Sequence, residues 1–94
     1  MFYTFSRSEY DLQQLEELVA QITEQDAILL WQNGVLLPLK YPMLFQDTHY
    51  YVLENDVIAR HLQHYFSPEN TAFSLISLTD FVKLTEEYFP QISL

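Results

Sequence analysis

Ala27-Ile28-Leu29-Leu30-Trp31-Gln32-Asn33-Gly34-Val35-Leu36-Leu37-Pro38-Leu39 is the stretch on which the fold turns. Ala27–Trp31 is a continuous apolar run without alternation, so both of its faces must be covered, as in a parallel strand under helices. Asn33-Gly34 between apolar runs is also a hairpin signal, one that would pair Ala27–Trp31 with Val35–Leu39. Two features oppose the hairpin. Pro38 has no N–H to give to a ladder, and neither arm alternates. The segment therefore reads as strand, turn, and then a short helical or irregular piece near Val35–Leu37.

The pattern on either side agrees. Met1–Phe5 has strand-like content, and Ser6-Arg7-Ser8 is a polar turn. Leu12, Leu15, Leu18, Val19 and Ile22 recur at helical spacing, which predicts a first helix over Glu9–Ile22, with Ser8 and Asp11 as a variant capping box. Lys40–Asp47, with Pro42, reads as a loop. Tyr50–Leu53 is aromatic and β-branched, a third strand. Glu54-Asn55-Asp56 is a helix start with Asn55 as cap. Val57, Ile58, Leu62 and Tyr65 extend that helix to just before Pro68. Phe73–Ile76 is a fourth strand. Ser77 and Asp80 repeat the capping pattern ahead of a helix carrying Phe81, Val82, Leu84, Thr85 and Tyr88. Pro90 ends it, and Gln91–Leu94 is a short last strand.

Strands alternating with helices predict a single α/β domain over residues 1–94. Its architecture is a three-layer α/β/α sandwich on a mainly parallel sheet of four to five strands. Ligands and partners meet such sheets at the C-terminal ends of the strands. Here those ends are Ser6-Arg7, Gln32-Asn33-Gly34, Glu54-Asn55-Asp56 and Ser77-Leu78-Thr79, a polar and partly acidic rim.

Composition narrows the function. With 13 acids against 4 bases and a net charge of −9, the surface repels nucleic acid and anionic membranes. With no cysteine there is no disulfide, thiolate zinc site, iron–sulfur cluster or cysteine nucleophile. With one glycine there is no usual phosphate-cradling loop. No stretch reads as a transmembrane span or signal peptide, which makes the cytoplasm the expected compartment. Apolar residues make up 49% and aromatics 16%, rich for so small a chain, so some of them are expected to meet another subunit.

Catalytic chemistry finds little to work with. His61 and His64 stand three apart on a predicted helix, but no further ligands complete a metal site. Glu16-Glu17 and Glu86-Glu87 are neighbours that point about 100° apart on a helix and solvate its surface. The serines lack the glycine context of a nucleophile elbow. The bottom-up reading is a non-enzymatic interaction subunit without cofactor or metal. Candidate interface or docking residues are Arg7, Asn33, Asn55, Asp56, Arg60 and the apolar Phe81, Val82 and Leu84. The alternative is a small-molecule-binding or regulatory domain using the polar strand ends.

Four stretches in order resemble one family. They are Thr4-Phe5-Ser6-Arg7-Ser8, Ala27 through Val35, Tyr51 through Arg60, and Leu75 through Thr85. Together they are similar to the DsrH branch of the DsrE/DsrF/DsrH family, over essentially the whole chain. The resemblance implies a flavodoxin-like subunit that assembles with TusC-like and TusD-like homologues as a dimer of heterotrimers. It also implies a place in a sulfur relay. Persulfide passes from a TusA-like carrier through a TusD-like cysteine to a TusE-like carrier, and serves 2-thiolation of wobble uridine in tRNA. A chain without cysteine cannot hold persulfide, since that step needs a thiolate. Within such a relay it would be structural.

Overall fold

The computed structural model describes residues 1–45, 48–66 and 73–94. Among these residues five strands, Phe2–Phe5 (β1), Ala27–Leu30 (β2), Tyr50–Leu53 (β3), Phe73–Ile76 (β4) and Gln91–Ser93 (β5), form one sheet in the order β4-β3-β2-β1-β5. Every pairing in it is parallel. The helices are Leu12–Gln21 (α1), Leu37–Lys40 (α2), Glu54–Ala59 (α3) and Leu78–Glu87 (α4). The expected α/β class and the parallel sheet are both observed.

Asn33-Gly34 does not turn a hairpin. It lies in a 3₁₀ turn, Gln32–Leu36, that runs into α2, while β2 pairs with β1 on one side and β3 on the other. Gly34 is needed for another reason. Its φ is negative, but a Cβ there would fall 1.9 Å from the carbonyl oxygen of Phe5. The turn can fold onto the end of β1 only because that atom is missing.

The winding fixes the layers. The steps β1 to β2, β3 and β4 all run one way, so right-handed crossovers place α1, α2 and α3 on one face. The step from β4 to β5 returns past β1 and puts α4 on the other. Burial follows the period of two along each strand. Tyr3, Phe5, Ile28, Leu30, Tyr50 and Val52 pack with Leu15, Leu37 and Val57 on the first face. Phe2, Ala27, Leu29 and Ile76 pack with Leu84 on the second, flanked by Trp31, Phe81 and Tyr88.

The helix ends differ from the periodicity in three places. α1 starts at Leu12, because the Asp11 carboxylate accepts the Gln13 N–H at 3.1 Å and caps it. Upstream, the Arg7 N–H donates to the Tyr10 hydroxyl at 3.3 Å and holds that segment as a turn. α3 is capped by Leu53 rather than Asn55, with no side-chain cap bond. It also stops at Ala59, well short of Pro68. His61 adopts a left-handed φ of 54° there. The His61 N–H then donates to the Ile58 carbonyl at 3.1 Å and the Leu62 N–H to that of Val57 at 3.0 Å, a Schellman motif. Leu62 is apolar because it packs back on the core beside Val57, not because the helix continues. Gln46, Asp47 and residues 67–72, Pro68 among them, lie outside the described residues.

Candidate functional site

The C-terminal ends of β2 and β3 bring three of the expected rim residues, Gln32, Asn33 and Asp56, into one network with the docking candidate Arg60. Asp56 sits in the first turn of α3, next to the end of β3. Its Oδ2 accepts the Gln32 N–H at 2.7 Å, tying α3 to the turn after β2. Gln32 has a φ of 52°, and this bond helps to hold it in that region. Arg60, four residues on, reaches back across the same turn. Its Nε and Nη2 donate to Asn33 Oδ1 at 3.3 and 2.9 Å, and its Nη1 to the Asp56 carbonyl and Oδ1 at 3.3 and 3.4 Å. The Arg60–Asp56 pair is partly exposed, so it contributes little as an ion pair. Its value is geometric: a planar fork fixes Asn33 and the turn at once.

The other rim residues stay apart. Arg7 is exposed, with its guanidinium carbon 4.8 Å from the centre of the Tyr10 ring. Asn55 is exposed on α3. The strand-end rim is thus a structured polar surface whose central cation is turned onto its own neighbours.

The second candidate surface is α4. Phe81 packs edge-on against Phe2 at 6.0 Å and Trp31 at 5.3 Å, and Leu84 is buried. Both belong to the core beneath the helix. Val82 alone of the three faces outward, and Leu78, four residues before it, lies beside it on that outer face; they are 54% and 56% exposed. The sequence reading places Leu78 at a strand end but leaves it out of the apolar docking candidates, although its spacing from Val82 is a usable signal. Gln32 is on the expected rim, but its role is a backbone one that leaves no side-chain trace.

Metal chemistry loses its geometric premise. His61 sits on the left-handed cap of α3, and His64 lies in a separate 3₁₀ turn, Gln63–Tyr65, against the Tyr65 ring at 4.0 Å. Among the described residues no three His, Asp or Glu side chains converge to hold a metal ion. Among the same residues, no helix is long and apolar enough to cross a membrane.

Comparison with known proteins adds a lineage to this geometry. The family model described as DsrH like protein matches residues 7–91. The sequence is 43% identical over 96 residues to an uncharacterized protein of Haemophilus influenzae, covering all of both chains. It is 40% identical over 98 residues to Protein TusB of Yersinia pestis, and equally to that of Yersinia pseudotuberculosis, covering 99% of each chain.

Proposed function

The chain belongs to the DsrH-like family, and from that premise we propose that it is a non-catalytic structural subunit of a cytoplasmic sulfur-relay complex supporting 2-thiolation of wobble uridine in tRNA. The observation that carries this reading is a DsrH-like domain without a single thiol. Persulfide transfer needs a thiolate at every station, so this subunit shapes the assembly and the sulfur travels on its partners. Those partners are TusC-like and TusD-like homologous subunits in a dimer of heterotrimers, with TusA-like and TusE-like carriers docking on the finished complex. The acidic surface suits a member that hands on protein-bound sulfur and leaves RNA to a more basic enzyme.

Leu78 and Val82 mark the apolar docking face, with Phe81 and Leu84 anchoring the helix behind them. The fixed turn at Asn33, Asp56 and Arg60, with Arg7 and Asn55 nearby on the rim, forms the polar part of the docking surface.

Co-expression with TusC-like and TusD-like subunits tests this. The chain is expected to co-purify in a stable complex, with persulfide labelling on a partner only. Val82→Asp should abolish co-purification while the free chain keeps its circular dichroism and unfolding midpoint, since Val82 is outside the core. Recovery of the unmodified chain solely as a free monomer overturns the reading.

A further inference from the structure

A second feature lies at the opposite rim. A five-stranded sheet is about 19 Å across and a helix about 10 Å wide, so α4 alone cannot cover its face. Beside the C-terminal end of α4, at the N-terminal edges of β2 and β3, a cleft of about 310 Å³ remains. That is near the lower end of the roughly 300–1,000 Å³ in which proteins hold small organic groups.

Its walls have a consistent chemistry. Thr23, Glu24 and Asp26 come from the turn between α1 and β2, His49 and Tyr51 from the entry to β3 and from β3 itself, and Tyr88 from the end of α4. Asp26 is committed to the fold. Its Oδ1 accepts from the Met1 ammonium at 3.0 Å, and its Oδ2 from the Thr23 N–H and hydroxyl at 2.9 and 3.1 Å. Glu24 is different: it is exposed, and among the described residues it has no ion-pair partner. His49 is fixed by a 3.3 Å contact between its Nε2 and the Ser74 hydroxyl, and it meets the Tyr51 ring edge-on at 5.4 Å. The Tyr51 phenol is held above its ordinary range, by burial first and then by Tyr88 and Glu87. Tyr88 and the Glu87 carboxylate are therefore within electrostatic reach of it. Among the described residues, no lysine or arginine lines the cleft.

Among the same residues, two phenol rings, the unpaired Glu24 carboxylate, and no cation beyond the Met1 ammonium that Asp26 already holds define what fits. An anion meets like charge. A neutral apolar group leaves the carboxylate unused. A guanidinium can lie on a tyrosine ring while its N–H groups reach a carboxylate, and it sheds water more readily than an ammonium. We propose that this cleft binds a guanidinium group, presented either by a free small molecule or by an arginine side chain of a partner protein.

Titration of the full chain, followed by amide chemical shifts, tests this with three probes. L-arginine represents the free source. The end-blocked peptide acetyl-Gly-Arg-Gly-amide represents a protein side chain. The same peptide with citrulline in place of arginine is the neutral isostere. Saturable shifts are expected around Glu24, His49 and Tyr88 with at least one arginine probe, and none with citrulline. Tighter binding of free arginine assigns a small molecule, and tighter binding of the peptide a protein partner. Glu24→Gln, on an exposed turn where it cannot disturb the core, should weaken binding about two- to five-fold, the effect of one partly exposed charge. Tyr51→Leu should weaken it further. Absence of saturable shifts, or citrulline binding as well as arginine, overturns the proposal. None of these outcomes depends on the relay partners.

Discussion

At Gly34 a lone hydrogen stands where any other residue would drive a Cβ into the Phe5 carbonyl, 1.9 Å away. Backbone cannot swing aside as a side chain can. Gly34→Ala should therefore destabilise the chain by about 1–3 kcal/mol or more in chemical denaturation. At His61 the sign reverses. A side chain occupies the left-handed region at φ 54°, where glycine suffers no clash. His61→Gly should stabilise the chain by about 1 kcal/mol in the same assay. Tyr50 sets a pH limit. Its buried phenol, held between Phe45 and Phe73, is pushed up by burial from 10.0 to about 12. The unfolded chain ionises first, so the stabilisation is complete below pH 10 and lost as pH rises through about 12. Tyr50→Phe should flatten that alkaline decline in urea midpoints. Some decline persists, because Tyr51 is also raised.

α4 shows how far a helix can be read from its sequence. Ser77-x-x-Asp80 announces a capping box, and the box is there. The Asp80 N–H donates to the Ser77 hydroxyl at 3.2 Å, and the Ser77 N–H to the Asp80 carboxylate at 3.5 Å. Ser77→Ala should cost about 1 kcal/mol by denaturation and fray the first turn, where Leu78 lies. Which apolar residues of α4 face inward was not legible. A helix with Leu78, Phe81, Val82 and Leu84 spreads its apolar residues over about 160°, wider than the roughly 100° stripe that one core face needs, so periodicity alone does not choose which of them face inward. α3 misled in the other direction. Leu62 continues the helical rhythm of Val57 and Ile58, but it does so across a Schellman turn that no glycine announces. The Asp56–Gln32 and Arg60–Asn33 bonds join residues 24 and 27 apart. No local pattern encodes such pairs, though the placing of Gln32, Asn33 and Asp56 at strand ends follows from the topology, with Arg60 reaching back from the end of α3. The cleft residues were hidden for the same reason: they come from three separate connections.

Across the whole molecule the sheet was the most legible level. Runs such as Ala27–Leu30, buried on both faces, carry their environment in their composition. Strand order was not legible, and it has a consequence for how the chain folds. β1 lies between β2 and β5, and its contact with the far end of the chain, Ser6 hydroxyl to Leu94 carbonyl, spans 88 positions. Closing so long a loop comes late, since its entropy must be met before the contact repays it. One side of β1 can zip against β2 early, while the other waits. In pulse-labelled refolding, the Phe2 and Ser6 amides, which donate to Pro90 and Leu94, should gain protection after those of β2. Simultaneous protection would mean that the sheet closes in one step. A late closure leaves a β1 edge open in every nascent chain, a template for strand exchange between copies until residues 91–94 arrive to occupy it.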